Sequence, residues 1–241
     1  MTNLIGRIGI MIESETFLGH SKFQKAIIVL VPMILGGSIG WFVPIIANWI
    51  LKLPVVPMEK LVLFIASFNS LWVSSIAAII GTIAGLLLAL VILNESLEVT
   101  ISYNNLQLKF GERINIIEKK DILAIYIENK HLVILGQTSN ELYREVIEMK
   151  VDTVREAFNK YQYPWNEIDP FGSQYQRWAL GHPDFPEKIN ALLYARDHAL
   201  KEKKKANAKY LREDLAQLGV VIRDERNGQY VRLAQNANYD I

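Results

Sequence analysis

No charged residue occurs between Lys25 and Lys52, or between Lys60 and Glu95. That pattern constrains the chain more than any other feature it has. Helices of water-soluble domains usually keep a polar stripe, whereas an apolar run of 18 or more residues without charge reads as a membrane-spanning helix. At about 1.5 Å rise per residue the two runs cover roughly 39 and 50 Å, against a hydrocarbon core of about 30 Å. Both can span, so residues 26–93 are predicted to form a transmembrane helical hairpin, with spans at about 26–51 and 70–93.

Ser67, Asn69, Ser70, Ser74 and Ser75 crowd the start of the second run, which puts its deepest part at Val73–Leu93 and leaves Leu61–Phe68 at the interface. Trp49 closes the first span and Trp72 opens the second, where indoles favour the headgroup level. Gly36 and Gly40 in the first span, and Ala77, Gly81, Gly85 and Ala89 in the second, recur every four residues. Small residues on one face let helix backbones approach in lipid, where packing replaces the hydrophobic drive. Gly36, Gly40, Gly81 and Gly85 are therefore the expected packing positions, within one hairpin or between two copies. Pro32 and Pro44 are positions where the first helix can kink. The spans hold no ionisable residue, which argues against an ion or proton pathway.

Met1 to Lys25 lacks a signal-peptide layout, because its first apolar run is short, interrupted by Arg7 and followed by Glu13 and Glu15. Arg7, Lys22 and Lys25 precede the first span, Lys109 and Arg113 follow the second, and Lys52 and Lys60 lie between. Five basic residues against two favour cytoplasmic termini. The N-terminal segment 1–25 and everything after the hairpin are thus expected in the cytoplasm, on an integral protein of the cell membrane. A net charge of +1 over 241 residues lacks the global basicity of a dedicated nucleic-acid binder. The absence of cysteine removes disulfides, thiolate metal sites, iron–sulfur clusters and cysteine nucleophiles together.

After the hairpin the hydrophobic period changes from helical to two-residue alternation. Leu97, Val99, Ile101 and Tyr103 alternate, Asn104-Asn105 tolerates positive φ in a tight turn, and Leu106, Leu108 and Phe110 alternate again. Further strands are predicted at Arg113–Ile117, Asp121–Glu128, His131–Gly136 and Glu141–Val146, the second and third of these joined across Asn129-Lys130. An amphipathic helix follows, with Asp152 as its N-cap and Val154, Phe158 and Tyr161 on one face. Antiparallel strands closed by one helix, over residues 97–165 and most typically in Lys120–Tyr126 and Lys130–Leu135, resemble bacterial pleckstrin-homology (PH)-type domains. Some relatives of that fold bind phosphoinositides, but no clustered Lys/Arg loop for a phosphorylated head group is found here.

Residues 166–187 are punctuated by Pro170, Gly172, Gly181, Pro183 and Pro186 and read as a linker. Tyr175, Arg177 and Trp178 are large for a free linker and are expected at an interdomain contact, as an arginine–aromatic pairing. In residues 188–235, Ile189, Leu192, Leu193, Arg196 and Leu200 give one helical face and Ala208, Leu211, Leu215 and Leu218 a second, stopped by Gly219. Val220–Asp224 and Gln229–Leu233 then flank the turn signal Asn227-Gly228. With Arg196, Ala199, Asn207-Ala208, Leu211-Arg212, Gly219 to Ile222, Asp224, Gly228 and Arg232, this helix–helix–strand–strand segment resembles the small C-terminal domain of cysteinyl-tRNA synthetases, which helps to recognise the anticodon. The synthetases' nucleotide-binding motifs and cysteine zinc site have no counterpart in the sequence, which excludes aminoacylation. The joint arrangement is similar to the YqeB-like family of bacterial membrane proteins, which lends architecture and no activity.

The fold class expected is therefore membrane α+β: a two-helix transmembrane hairpin, a PH-like antiparallel sheet plus helix, then a small helix–helix–strand–strand domain. Lys201, Lys203, Lys204, Lys205, Lys209, Arg212, Arg226 and Arg232 form a local concentration of positive charge. Phosphate neutralisation by such residues gives sequence-tolerant, salt-sensitive RNA affinity, and the same residues suit an anionic lipid surface or plain solvation. His20, His131, His182 and His198 are scattered, and no HExxH, GxSxG or P-loop pattern occurs. Glu95 and Glu98, at the exit of the second span, read as boundary charges. The functional expectation is a non-catalytic, membrane-anchored cytoplasmic interaction or scaffold protein with the bilayer and a protein as partners, and with neither a cofactor nor a small-molecule substrate. The alternative is membrane-tethered binding of tRNA or other RNA through the C-terminal domain.

Overall fold

Ser21 starts the first long helix: its hydroxyl accepts from Gln24 N at 3.2 Å while Gln24 Oε1 accepts from Ser21 N at 2.8 Å, a reciprocal capping box. In the computed structural model, which describes residues 15–53, 58–67 and 71–235, that helix, α1, runs Lys22–Ile50 and is continuous through Pro32 and Pro44. A short helix α2, Glu59–Ser67, overlaps the segment expected at the interface, and α3 spans Leu71–Asn94. Expectations that rest on Arg7, Glu13, Phe68, Asn69 and Ser70 lie outside the described residues.

The described chain divides into two compact units, residues 19–98 with 109–113, and the remainder. In the first unit α1 packs along α3. A Cβ added at Gly36 or at Gly81 would overlap the carbonyl of the other, and one at Gly40 or Gly85 would overlap the carbonyl of Ala77 or Pro32. The four glycines thus lie where the two backbones approach most closely, within a single hairpin. Over their most apolar 18 residues α1 and α3 have mean hydropathies of 2.2 and 2.9, yet only 6% and 11% of those residues are buried. Both helices are long and apolar enough to cross a membrane.

The second unit starts before the hairpin. Strand β1, Thr16–Leu18, pairs antiparallel with β2, Leu97–Ile101, in register Phe17↔Thr100. The sheet expected to begin at Leu97 therefore takes a strand from the other side of the helices, and the hairpin is an insertion in it. Strands β3 (Asn105–Phe110) and β4 (Arg113–Glu118) complete a four-stranded sheet in the order β1-β2-β3-β4. The β2–β3 turn lies at Tyr103-Asn104, held by Ser102 Oγ, which accepts from Asn105 N at 3.1 Å. The side-chain oxygen does the work expected of an asparagine at positive φ.

A second sheet, β5-β6-β7, comprises Ile122–Glu128, His131–Gly136 and Glu141–Val146. Asn129 and Lys130 turn between β5 and β6 at φ +49° and +66°, the mirror-image turn that suits the twist of a hairpin. Helix α4, Val151–Lys160, buries Val154, Ala157 and Phe158; its N-cap position is Lys150, which makes no side-chain capping bond, and Asp152, the expected cap, sits in the first turn paired to Arg155 at 2.5 Å. Alternation is clean in β2, whereas in β6 Leu132 to Gly136 are all buried. One face of β5–β6 carries Ile125, Leu132 and Ile134, and the opposite face carries Ala124, Tyr126, Val133 and Leu135, on which Phe171 packs.

The C-terminal module consists of α5 (Glu187–Lys201), α6 (Lys205–Gln217), β9 (Val220–Glu225) and β10 (Gly228–Leu233). Gly219 closes α6 at φ +74°, as a left-handed helix stop requires. The β9–β10 turn falls on Arg226-Asn227, one residue earlier than the Asn-Gly signal, with Gly228 pairing to Glu225. Phe185, Ile189, Leu193, Leu215, Val220, Ile222 and Val231 make its core. The predicted linker contributes β8, Gln176–Arg177, which pairs with β10 and makes a third sheet, β8-β10-β9.

Candidate functional site

Asp169 lies in the stretch read as linker, yet it is buried (7% exposed). Its Oδ2 accepts from Tyr126 OH of β5 at 3.0 Å, from Tyr175 OH at 3.0 Å and from Arg223 Nη2 of β9 at 3.2 Å, and its Oδ1 accepts from Phe171 N at 2.8 Å. One carboxylate thereby holds the sheet domain, the intervening segment and the C-terminal module. Burial pushes the Tyr126 hydroxyl up out of its ordinary range and the Tyr175 hydroxyl up to about 12, so both stay protonated and donate.

From Asp169 an alternating chain of charges runs along the seam. Arg223 Nε lies 2.7 Å from Glu128 Oε1, and Glu128 Oε2 lies 3.1 Å from Arg144 Nη2. Arg144 Nε donates to Glu141 Oε2 at 2.8 Å, and Glu141 Oε1 lies 3.7 Å from Arg212 Nη1. Arg212 donates to Asp224 Oδ2 at 2.7 Å and to Ile222 O at 2.8 Å. Arg196 closes on the same carboxylate as a fork at 2.8 and 2.7 Å and also donates to Gln229 Oε1. Burial pushes the Asp224 carboxyl up, but hydrogen bonds from Arg196 and the charges of Arg212 and Arg196 outweigh it and hold the group at about 2. Desolvation likewise lowers the Arg212 guanidinium, against the opposing pull of Glu141.

Tyr175 stands in this seam as an aromatic contact, but its cations are Arg223, 4.3 Å from the ring centroid, and Arg232, 5.4 Å away. Arg177, the expected partner, instead donates to Asn227 O at 2.9 Å within the small sheet. Trp178 packs on the core of the C-terminal module and donates its indole N–H to Asn190 Oδ1 at 2.9 Å. Of the three, Tyr175 joins the Asp169 cluster and stacks with arginines of the C-terminal module, whereas β8 pairs with β10 and keeps Arg177 and Trp178 within that module.

The predicted positive cluster is divided. Arg232 is 2% exposed, donates to Ser139 Oγ at 3.3 Å and lies over the Phe171 ring at 4.8 Å. Arg212 is enclosed between Glu141 and Asp224. Neither is open to a phosphate backbone, which corrects the expectation for these two residues. Lys209 pairs with Glu145 of β7, Lys201 with Asp197 at 2.6 Å and Lys204 with Glu202 at 2.7 Å. Lys203, Lys205 and Arg226 are exposed. Cations expected to meet an external anion are largely turned onto carboxylates of the chain itself. Glu128, Glu141, Glu145 and Asp169 carried no sequence signal of this role, except that β5–β6, the strands between them, lack alternation.

The comparisons follow the same division. The model of the YqeB-like bacterial PH domain matches residues 16–166, from β1 through the hairpin to the end of the α4 segment. The uncharacterised protein YqeB of Bacillus subtilis (strain 168) is 36% identical over 224 residues, 92% of this chain and 93% of that protein. The chain belongs to the YqeB-like bacterial PH domain family. Within that family model the first strand and the hairpin are part of one domain, as the β1–β2 pairing requires. Residues 182–232 are similar to the anticodon-binding domain of cysteinyl-tRNA ligase. No solved structure matches the chain.

Proposed function

We propose that α1 and α3 anchor the chain in the cell membrane and that the sheet domain and the C-terminal module act together, on the cytoplasmic side, as one docking body for a protein partner. The observation that carries this reading is the exposure of the two helices: Ile34, Ile39, Trp49, Trp72 and Ile80 are 64, 62, 64, 80 and 62% exposed. Apolar surface in water costs about 25 cal/mol per Å², and a bilayer removes that cost over the whole length of both helices. Pairing of β1 with β2 supports a single side for both ends of the hairpin, where Lys22, Lys25, Lys109 and Arg113 outnumber Lys52 and Lys60. The docking half of the reading is supported by the seam. Its carboxylates pair with arginines of the chain itself, which favours the two modules presenting one fixed outer surface whose exposed cations include Lys203 and Lys205.

Alkaline carbonate extraction tests the anchor. The full chain is expected in the pellet, with its C-terminus open to protease only in inside-out vesicles; recovery in the supernatant would remove the anchor. For the docking role, a photocrosslinker placed at Lys203 or Lys205 in cells is expected to capture the same protein repeatedly, and Arg212→Glu, which breaks the seam, to abolish the capture. Repeated recovery of the bare chain would end the scaffold reading.

A further inference from the structure

Strand β4 ends the sheet β1-β2-β3-β4, and between Arg113 and Glu118 it carries no charge. Edge strands that face water are ordinarily blunted by charged side chains. Here Ile114 and Ile116 are 53 and 66% exposed. Successive residues of a strand point to opposite faces, so these two share a face and the half-buried Ile117 lies on the other. In the neighbouring β3, Leu106 and Leu108 are buried, and the residues that alternate with them, Gln107 and Lys109, are exposed and polar. At the other edge Phe17 of β1 is 50% exposed beside the buried Leu18. The outward side of the sheet is thus polar in β3 and apolar on both edge strands.

The turn that leads into β4 belongs to the foot of the hairpin. A Cβ added at Gly111, between β3 and β4, would lie 3.3 Å from Asn94 Oδ1 and 3.4 Å from Asn94 O, and Asn94 is the last residue of α3. We propose that β4 lies along the cytoplasmic surface of the bilayer and seats Ile114 and Ile116 in its interfacial layer. The inference rests on the membrane reading above, which puts Asn94 at the boundary of the hydrocarbon. The polar layer outside that boundary is about 5–7 Å thick on each side. At about 3.3 Å per residue, Ile114 and Ile116 stand at most about 10 and 17 Å from Gly111. A strand along the surface keeps both in the layer, whereas one running straight outward leaves Ile116 in water without cover. Lipid fits better than a second copy of the chain. A copy paired to β4 would cover one edge of the sheet and leave Phe17 exposed at the other. The bilayer can meet both, because β1 joins α1 through residues 19–21 and so lies as near the hairpin in sequence as β4 does.

The absence of cysteine makes the test direct, since each single-cysteine variant of the full chain takes one nitroxide label. Ile114→Cys, Ile116→Cys, Gln107→Cys and Ile80→Cys are labelled and reconstituted in vesicles of phosphatidylcholine and phosphatidylglycerol. Each label is then read for collisions with oxygen, which concentrates in lipid, and with a water-soluble nickel complex. At Ile80, on the exposed side of α3, oxygen collisions are expected to exceed nickel collisions several-fold. The labels at Ile114 and Ile116 should also favour oxygen, and the label at Gln107 should favour nickel. All four positions are exposed, so the label displaces no core side chain. Nickel-dominated collisions at Ile114 and Ile116, with oxygen dominant at Ile80, overturn the β4 contact and leave the anchor standing. Nickel dominance at Ile80 as well overturns both. Spin–spin broadening at Ile114 or Ile116 that disappears on dilution with unlabelled chain makes a second copy the cover of β4 and overturns the lipid assignment. Low collision rates with both reagents and no broadening overturn it too, because protein then covers the strand.

Discussion

Asp169 shows how much one side chain can decide. Its carboxylate takes four hydrogen bonds from three parts of the chain. Removing one partner of a buried charged pair leaves the other uncompensated, which typically costs several kcal/mol. Asp169→Ala is therefore expected to destabilise the chain by about 3 kcal/mol, read as a lower midpoint of thermal unfolding in detergent; an unchanged midpoint would remove Asp169 as the tie. Asp224 gives a pH prediction. Its folded value, about 2 against 3.8 unperturbed, is depressed, so its contribution is fully present above about pH 4 and is lost as pH falls through about 2. Because the side chain is 45% exposed, solvent screening limits that contribution to about 1 kcal/mol. Asp224→Asn should flatten the acid limb of the stability curve between pH 4 and pH 2. A limb of unchanged slope would mean that Asp224 is not held low.

Among the elements, the hairpin depends on what its glycines lack. Gly81→Leu places a side chain where the backbone of Gly36 lies, and overpacking of this kind costs about 1–3 kcal/mol. The expected result is earlier heat aggregation of the detergent-solubilised chain, while Ile80→Leu, on the exposed side of the same helix, changes nothing. Equal behaviour of the two variants would refute close packing of α1 on α3. The packing positions were readable as small residues four apart, since helical period is a local property. Whether they paired within one hairpin was not readable, because an internal and an intermolecular contact use the same pattern. Strands β5 and β6 hold the complementary lesson. Ile122 to Ile127 and Leu132 to Leu135 run apolar without alternation, the mark of a strand covered on both faces. That run was legible in the sequence as a strand, whereas its second cover, supplied by Phe171 and the segment around Asp169, lies some 35 to 50 residues further on.

For the whole molecule, the seam separates the two functional readings. A C-terminal module built to hold RNA would keep its cations toward solvent, whereas here Arg212 and Arg232 are enclosed and Lys209 is paired across the seam. Crosslinking of RNA to the full chain at low and high salt is expected to give no salt-sensitive signal. A signal that collapses with salt would restore the RNA reading and displace the protein-docking one. The seam itself predicts coupling: Glu141→Ala and Arg212→Ala should be non-additive in stability by about 1–2 kcal/mol, measured as a double-mutant cycle, and simple additivity would show that the pair at 3.7 Å contributes nothing.

The amino-acid sequence alone determined the two apolar helices, most strand positions, the turn at Asn129-Lys130 and the helix stop at Gly219. Each of these follows from a neighbour-to-neighbour pattern: hydrophobic period, absence of charge, or tolerance of positive φ. Only the tertiary structure decided that Thr16–Leu18 joins a sheet interrupted by the hairpin, that Asp169 is a buried tie, and which cations remain at the surface. The reason is the same in all three cases. A charge is neutral to a sequence pattern until its partner is known, and here the sheet-domain partners of Arg223, Arg212 and Lys209, which are Glu128, Glu141 and Glu145, stand between 64 and 95 residues away, brought near by folding and by nothing local.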